Sequence, residues 1–305
     1  MELQVNPSDA EGQYLKSLNL CFPGWGNEDA FAWAFRRQVG GPPADLMMLR
    51  ESGELLAGSA VSYRQLALPD GRRALVGIMT GSWTLPAARG RGAFTRIIEA
   101  SLELTRTHGG ALLLAFVTET NASFRRLEAA GSTLFPTRYV SSPAGMALRS
   151  SVAFTERQPR TEDFSRFDHQ RPAGAHFAYA DAAEWAGQLV MRAVRPVLVE
   201  TSAGAALVET HGDFDRLQAL AASDDADREA VIAACLTRAQ ARGKRIFLFE
   251  SQPARAERWK SALGLDAANG YLTALTAEPE AAARLLRSAP LASLGPWSLD
   301  SGDRM

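Results

Sequence analysis

The chain has 305 residues, 46% of them hydrophobic and 22% charged, with a formal net charge of −1 at pH 7, which suits two ordinary globular domains of about 150 residues each. The charges are interspersed and nearly balanced, so there is no basic field to argue for nucleic acid or an anionic membrane. Cys21 and Cys235 give neither a disulfide framework nor metal-ligand spacing, no apolar run approaches the roughly 18 residues needed to cross a bilayer, and the expected setting is a reducing cytoplasm without a bound metal.

Residues 21–35 carry aromatics spaced for a helix face. Phe31 and Phe35 are expected in the core there, and Trp25 is the candidate for contact with a substrate. Ser62, Tyr63 and Arg64 fall on the second expected strand, where Tyr63 is a second substrate candidate. Residues 73–84 read as a long strand. It runs into Arg89-Gly90-Arg91-Gly92-Ala93-Phe94 and then an amphipathic helix over 95–107. A helix entered through glycines presents free N–H groups and the positive end of its dipole, which is a seat for pyrophosphate; Arg89 and Arg91 add attraction. The apolar run 111–117 is a buried strand, and Asn121 opens a further helix over 124–130 that Gly131 closes.

Strand, anion loop, helix, strand and Asn-initiated helix in that order resemble the GCN5-related N-acetyltransferase family. Its signature is Arg or Gln, two variable residues, Gly, one variable residue, then Gly or Ala; Arg89, Gly92 and Phe94 occupy those positions, with phenylalanine replacing the final small residue. The resemblance covers roughly residues 45–140. It implies that the backbone from Arg89 to Phe94, including Gly90, Arg91 and Ala93, holds the pyrophosphate of acetyl-CoA or a longer acyl-CoA. It also implies that Trp83, Thr84 and Leu85 pair with the pantetheine amides, that Asn121 and Phe124 flank the pantetheine arm, and that the first helices cover the acceptor site. The tyrosine that many members use as general acid is replaced here by Leu127.

Shifting the chain by 134 positions sets Ile98 on Ile232, Leu102 on Leu236 and Gly109 on Gly243, so the second half repeats the first. The expected fold is α/β, more closely a mixed α+β sheet: two tandem acetyltransferase-like domains, each a central, mostly antiparallel sheet flanked by helices. Residues 1–150 form the coenzyme-binding domain and 151–305 a degenerate copy, with a further strand expected over 145–154. Asp224, Asp225 and Asp227 stand where the first copy has its glycine turn; carboxylates there serve the helix dipole themselves and repel phosphate.

Acyl transfer from a thioester to an amine needs a base for the amine and a route for a proton to sulfur. Glu119, at the end of the strand over 111–117, is the candidate base, and Tyr139 the candidate proton donor. His108 lies at the far end of its helix, where the dipole explains it. The expected activity is CoA-dependent N-acyl transfer to a primary amine on a small metabolite, a sugar or a peptide side chain. A long-chain acyltransferase served by acyl-CoA or acyl carrier protein is one alternative, and a CoA-binding sensor without turnover is the other.

Overall fold

A computed structural model describes residues 1–8, 10–146 and 152–304. In chain order the first elements are β1 (Glu2–Val5), α1 (Ala10–Cys21), α2 (Glu28–Phe31), β2 (Asp45–Glu51), β3 (Glu54–Ala67), β4 (Arg73–Thr84), α3 (Ala93–Thr107), β5 (Leu112–Thr118), α4 (Ala122–Ala129) and β6 (Thr133–Ser141). Then come β7 (Thr155–Arg157), α5 (Asp163–His169), β8 (His176–Ala178), α6 (Ala182–Leu189), β9 (Val197–Glu200), β10 (Gly204–Thr210) and β11 (Phe214–Ala222). The chain continues through α7 (Asp225–Ala241), β12 (Arg245–Glu250), α8 (Pro253–Leu263), β13 (Asp266–Thr276) and α9 (Pro279–Leu286).

These elements form two compact units, and neither is a contiguous half. Unit 1 is Met1–Phe135 with Leu272–Leu294, and unit 2 is Pro136–Tyr271 with Gly295–Arg304. The division between the units falls at 135/136, and each unit takes a further segment from the end of the chain. The expected cut itself, and much of the strand expected over 145–154, lie outside the described residues; β7 begins just beyond them.

In unit 1, β1, β2, β3 and β4 pair antiparallel, and β5 lies parallel to β4. Residues Leu272–Thr276 of β13 close the sheet beside β5: Thr273 Oγ1 donates to the Ala115 carbonyl at 3.3 Å and the Ala277 N–H to the Ala111 carbonyl at 3.0 Å. Buried on both faces, β5 has to be apolar throughout, and Leu112, Leu113, Leu114, Ala115 and Val117 meet that demand. The stripe Ala93, Ile97, Ser101 and Thr105 of α3 is buried, a four-residue spacing that keeps one helix face on the sheet. Gly77 on β4 lets α3 approach, since a Cβ there would collide with Thr105. Tyr14, Leu18, Phe31, Phe35 and Trp83 form a core cluster under the first helices, with Phe31 and Phe35 inside it as expected.

Unit 2 has the same plan. Strands β7, β9, β10 and β11 pair antiparallel, β12 lies parallel to β11, and the Arg138–Ser141 part of β6 is antiparallel to β12. Helix α7 lays Val231, Ile232, Cys235 and Ala239 on Leu217, Ile246, Leu248 and Val140. The mixed, mostly antiparallel sheet with flanking helices expected from the sequence is present in each unit.

Candidate active site

In unit 1 the parallel pair β4 and β5 is in register from Val76/Leu112 to Met79/Ala115 and no further, although both strands run on. The cause lies in β4. Between Thr80, opposite Ala60, and Trp83, opposite Gly58, β4 has two residues where β3 has one. This bulge at Gly81 and Ser82 bends β4 off its line. Gly81 has φ +56°, and a Cβ on it would lie 2.8 Å from the Phe35 ring. The Tyr14 hydroxyl donates to the Gly81 carbonyl at 2.8 Å, and the Ser59 and Ser82 hydroxyls meet at 2.7 Å. Past the bulge the strands part, leaving a crevice at their carboxyl ends, where open sheets with parallel strands take their ligands.

The elements that follow the two strands frame this crevice. After β4, a turn over Pro86–Ala88 leads to Arg89 and into α3. Gly90 and Gly92 have φ +79° and +80°, with nothing within 4 Å of the Cβ each lacks. Gly92 is the N-cap of α3 and offers no side-chain cap, so the N–H groups of Gly90, Arg91, Gly92, Ala93 and Phe94 have no acceptor among the described residues. An open depression of ≈ 560 Å³ lined by Met1, Arg91, Gly92, Thr95 and Arg96 lies against the loop. Arg91 is already paired with Glu51, and Arg96 with Glu99 at 2.8 Å. Arg89 is exposed and has no carboxylate partner among the described residues.

Of the strand residues expected beside the pantetheine arm, Thr84 is the one turned outward. The Leu85 N–H donates to the Leu56 carbonyl at 2.9 Å, so by antiparallel alternation Leu85 and Trp83 direct their amides to β3 and Thr84 directs its own away. The Trp83 side chain is buried in the core, its ring 5.6 Å from that of Tyr14. On the outward edge the Cys21 thiol donates to the Thr84 carbonyl at 3.6 Å. Burial pushes that thiol up, and the Arg89 charge pulls it back.

After β5, Glu119 lies exposed in the turn, and Asn121 caps α4 by accepting from the Ser123 N–H at 3.1 Å. Phe124 is half-buried on the first turn of α4, and Leu127 is buried. Because β4 and β5 are parallel, the loop Arg89–Phe94 and the stretch Glu119–Phe124 both follow carboxyl ends on one edge of the sheet.

The remaining candidates are Trp25, Tyr63 and Tyr139. Trp25 is half-buried and stacks on Phe35, with centroids 5.7 Å apart and planes 8° from parallel. Tyr63 is buried at the opposite end of α3, about 22 Å of helix from Gly92 at 1.5 Å per residue. Its hydroxyl donates to Asp45 at 2.6 Å, its ring packs on His108, and the His108 ring lies 2.9 Å from the same Asp45 oxygen. Burial and then Asp45 push the Tyr63 hydroxyl up. The sequence reading missed this cluster, because nothing in the order of Asp45, Tyr63 and His108 announces their meeting. Tyr139 belongs to unit 2, where its ring packs on Phe249 and Gly270 and its buried hydroxyl has no hydrogen-bond partner.

Unit 2 repeats the crevice and fills it. Strands β11 and β12 are in register from Phe214/Arg245 to Arg216/Phe247, and β11 carries an extra residue at Gln218 opposite β10. The C-terminal segment enters there. The Phe249 N–H donates to Ser301 Oγ at 2.8 Å, and a Cβ on Gly302 would lie 2.9 Å from the Gln218 carbonyl. The N-terminus of α7 is capped by Asp224, which accepts from the N–H groups of Ala226 and Asp227 at 2.8 Å each.

No family model matches the chain, and a search of curated proteins finds no match. Solved structures do match over almost its whole length. A putative acetyltransferase from Pyrococcus horikoshii aligns over 92% of this chain and 90% of its own at 12% identity, TM-score 0.63. A tandem GNAT protein from the clavulanic acid biosynthesis pathway covers 91% of this chain and 99% of its own at 14% identity, TM-score 0.63. Saccharomyces cerevisiae N-myristoyltransferase covers 90% and 80% at 11% identity, TM-score 0.64. With the parted strands and the glycine loop in place, the chain has the tandem fold of GCN5-related N-acetyltransferases.

Proposed function

We propose that the chain is a CoA-dependent N-acyltransferase whose unit 1 binds the acyl-CoA and whose unit 2 is a copy without coenzyme. The observation that carries this reading is the αL turn at Gly90 and Gly92, which leaves five N–H groups unpaired at the start of α3 beside the crevice between β4 and β5. Those amides and Arg89 suit a pyrophosphate, and the outward amide of Thr84 suits a pantetheine amide. The thioester supplies the acyl group. Glu119 takes a proton from the incoming amine, directly or through water, so that nitrogen can bond to the acyl carbon. The carbon–sulfur bond then breaks, and because Leu127 is buried and cannot ionise, the thiolate takes its proton from water.

The acceptor we favour is a primary amine on a small metabolite, a sugar or a peptide side chain. Free acyl-CoA is a better donor than an acidic carrier protein, since Arg91 and Arg96 are already neutralised by Glu51 and Glu99. Among the described residues no helix is long and apolar enough to cross a membrane. The test is calorimetric titration with CoA followed by a screen of acyl-CoA thioesters against amine pools, read by thiol release. One CoA per chain with amine-dependent release is expected. Binding without release in any pool would favour a sensor, and two equivalent sites would overturn the asymmetry between the units.

A further inference from the structure

One face of the unit 2 sheet carries a feature that coenzyme binding in unit 1 does not use. Arg216 on β11 is in register with Phe247 on β12, and Phe249 is in register with Tyr139 on β6, so these four side chains share a face with Phe214. Arg304 reaches the same face from the C-terminal turn. Its guanidinium lies 4.5 Å from the Tyr139 ring centroid and 5.5 Å from that of Phe249. The Arg216 guanidinium lies 5.3 Å and 5.9 Å from the centroids of Phe214 and Phe247. Four aromatic rings from three strands of unit 2 thus make a floor with two guanidinium groups on it, Arg216 from β11 and Arg304 from the C-terminal turn.

The charge of this floor is not balanced. Among the described residues neither Arg216 nor Arg304 has a carboxylate within ion-pair distance or a hydrogen bond, and the Nε of each is buried without a partner. The Tyr139 hydroxyl is buried without one as well. Glu209, the carboxylate whose field reaches Arg216, is engaged by Arg192, by His211 at 3.1 Å and by Gln218. Burial lowers both arginines from the usual guanidinium range, and Arg216 lowers Arg304 further. Contacts with the rings offset part of the cost of holding two like charges out of water, but they supply no acceptor for the donors. Two guanidinium forks beside an unpaired phenol match an oxyanion, which accepts bidentate pairs from arginine.

We propose that Arg216 and Arg304, over the floor of Tyr139, Phe247 and Phe249, form an oxyanion site in unit 2 that binds the carboxylate or phosphate group of a small molecule. The site is separate from the glycine loop and does not depend on the coenzyme reading. The test is calorimetric titration of the full chain with inorganic phosphate and, separately, succinate, at ionic strength held constant with sodium chloride. Saturable binding of at least one probe is expected, and the tighter probe identifies the group as phosphate or carboxylate. Arg216→Gln and Arg304→Gln should each weaken it tenfold or more, Arg216→Lys by less, and Arg245→Gln, on the exposed rim, should leave it unchanged. Gly92→Val separates this site from the loop of unit 1, because binding in unit 2 survives that change whether or not CoA binds at all. If either Gln variant fails to fold, the other and Arg216→Lys carry the comparison. Absence of saturable binding by both probes, or equal affinity in the folded arginine variants and the unaltered chain, would overturn the proposal.

Discussion

Replacing Gly92 by valine tests the phosphate seat, because the structure separates its effect on folding from its effect on binding. At φ +80° and ψ 1°, Gly92 holds the left-handed conformation that turns the loop amides outward. Nothing lies within 4 Å of a Cβ at this position, so the first side-chain carbon of valine has open space. The cost to stability is then backbone strain alone, about 1–2 kcal/mol for an L-residue in this region and somewhat more for a β-branched one. A fold of ordinary stability, about 5–15 kcal/mol, survives that. Binding loses more. Relaxing φ reorients at least one N–H away from the anion, and a hydrogen bond to a charged group is worth about 1.5–3 kcal/mol, or roughly ten- to a hundredfold in affinity. The assay is CoA titration by calorimetry beside a thermal melt of the same protein. A melting temperature lowered by strain with CoA affinity unchanged would refute the reasoning and move the pyrophosphate off this loop.

Arg89→Gln should weaken CoA binding several-fold more than Arg91→Gln, because Arg91 is already spent on Glu51; equal effects in a titration at fixed salt would show that the pair opens on binding. If Glu119 takes the amine proton, Glu119→Gln should lower turnover by about 10²-fold or more and remove the acidic limb of the rate profile, with CoA affinity unchanged; wild-type turnover across pH would place the base elsewhere. Burial pushes the Cys235 thiol up to about 12, so an aromatic disulfide reagent at pH 8 should find one fast thiol, Cys21, and saturating CoA should slow it because its sulfur lies on the outward edge of Thr84. A rate indifferent to CoA would put the pantetheine on another edge. In unit 2, burial raises Glu250 to about 7 and Asp300 to about 6, above their unfolded values, so the native state keeps protons that the unfolded chain has released. Stability should therefore fall as pH rises from about 5 to 7, and Glu250→Gln should flatten that slope in melts across the range; an unchanged slope would mean that Glu250 is ionised in the folded protein.

Local chemistry was legible in the sequence, and long-range closure was not. Strand β4 has the expected bounds, because its apolar run, entered from Asp70-Gly71 and left at Pro86, is written in neighbouring residues. The loop was readable for the same reason, since two glycines and a following helix decide it locally. The bulge that parts β4 from β5 left one trace, Gly81 inside a strand otherwise free to run straight, and was overlooked. Nothing near residue 272 announces that it closes a sheet beside β5: its run Leu272, Thr273, Ala274, Leu275 reads as any buried strand, and its neighbour is fixed by the fold. The entry of Ser301–Arg304 between β11 and β12 has the same origin, because a short polar tail with a glycine looks like a frayed terminus until its partners are known.

The returning strand sets the order of events at the ribosome. The Ala115 carbonyl waits for Thr273, 158 residues further along the chain, so β5 stays an unpaired edge while nearly the whole second half is made. At about 5–20 residues per second this is a delay of about 8–32 s, during which an apolar edge is open to any passing strand. A ribosome stalled near residue 200 should hold unit 1 in a protease-sensitive, chaperone-bound state, and a stall late enough to expose residue 294 should release it.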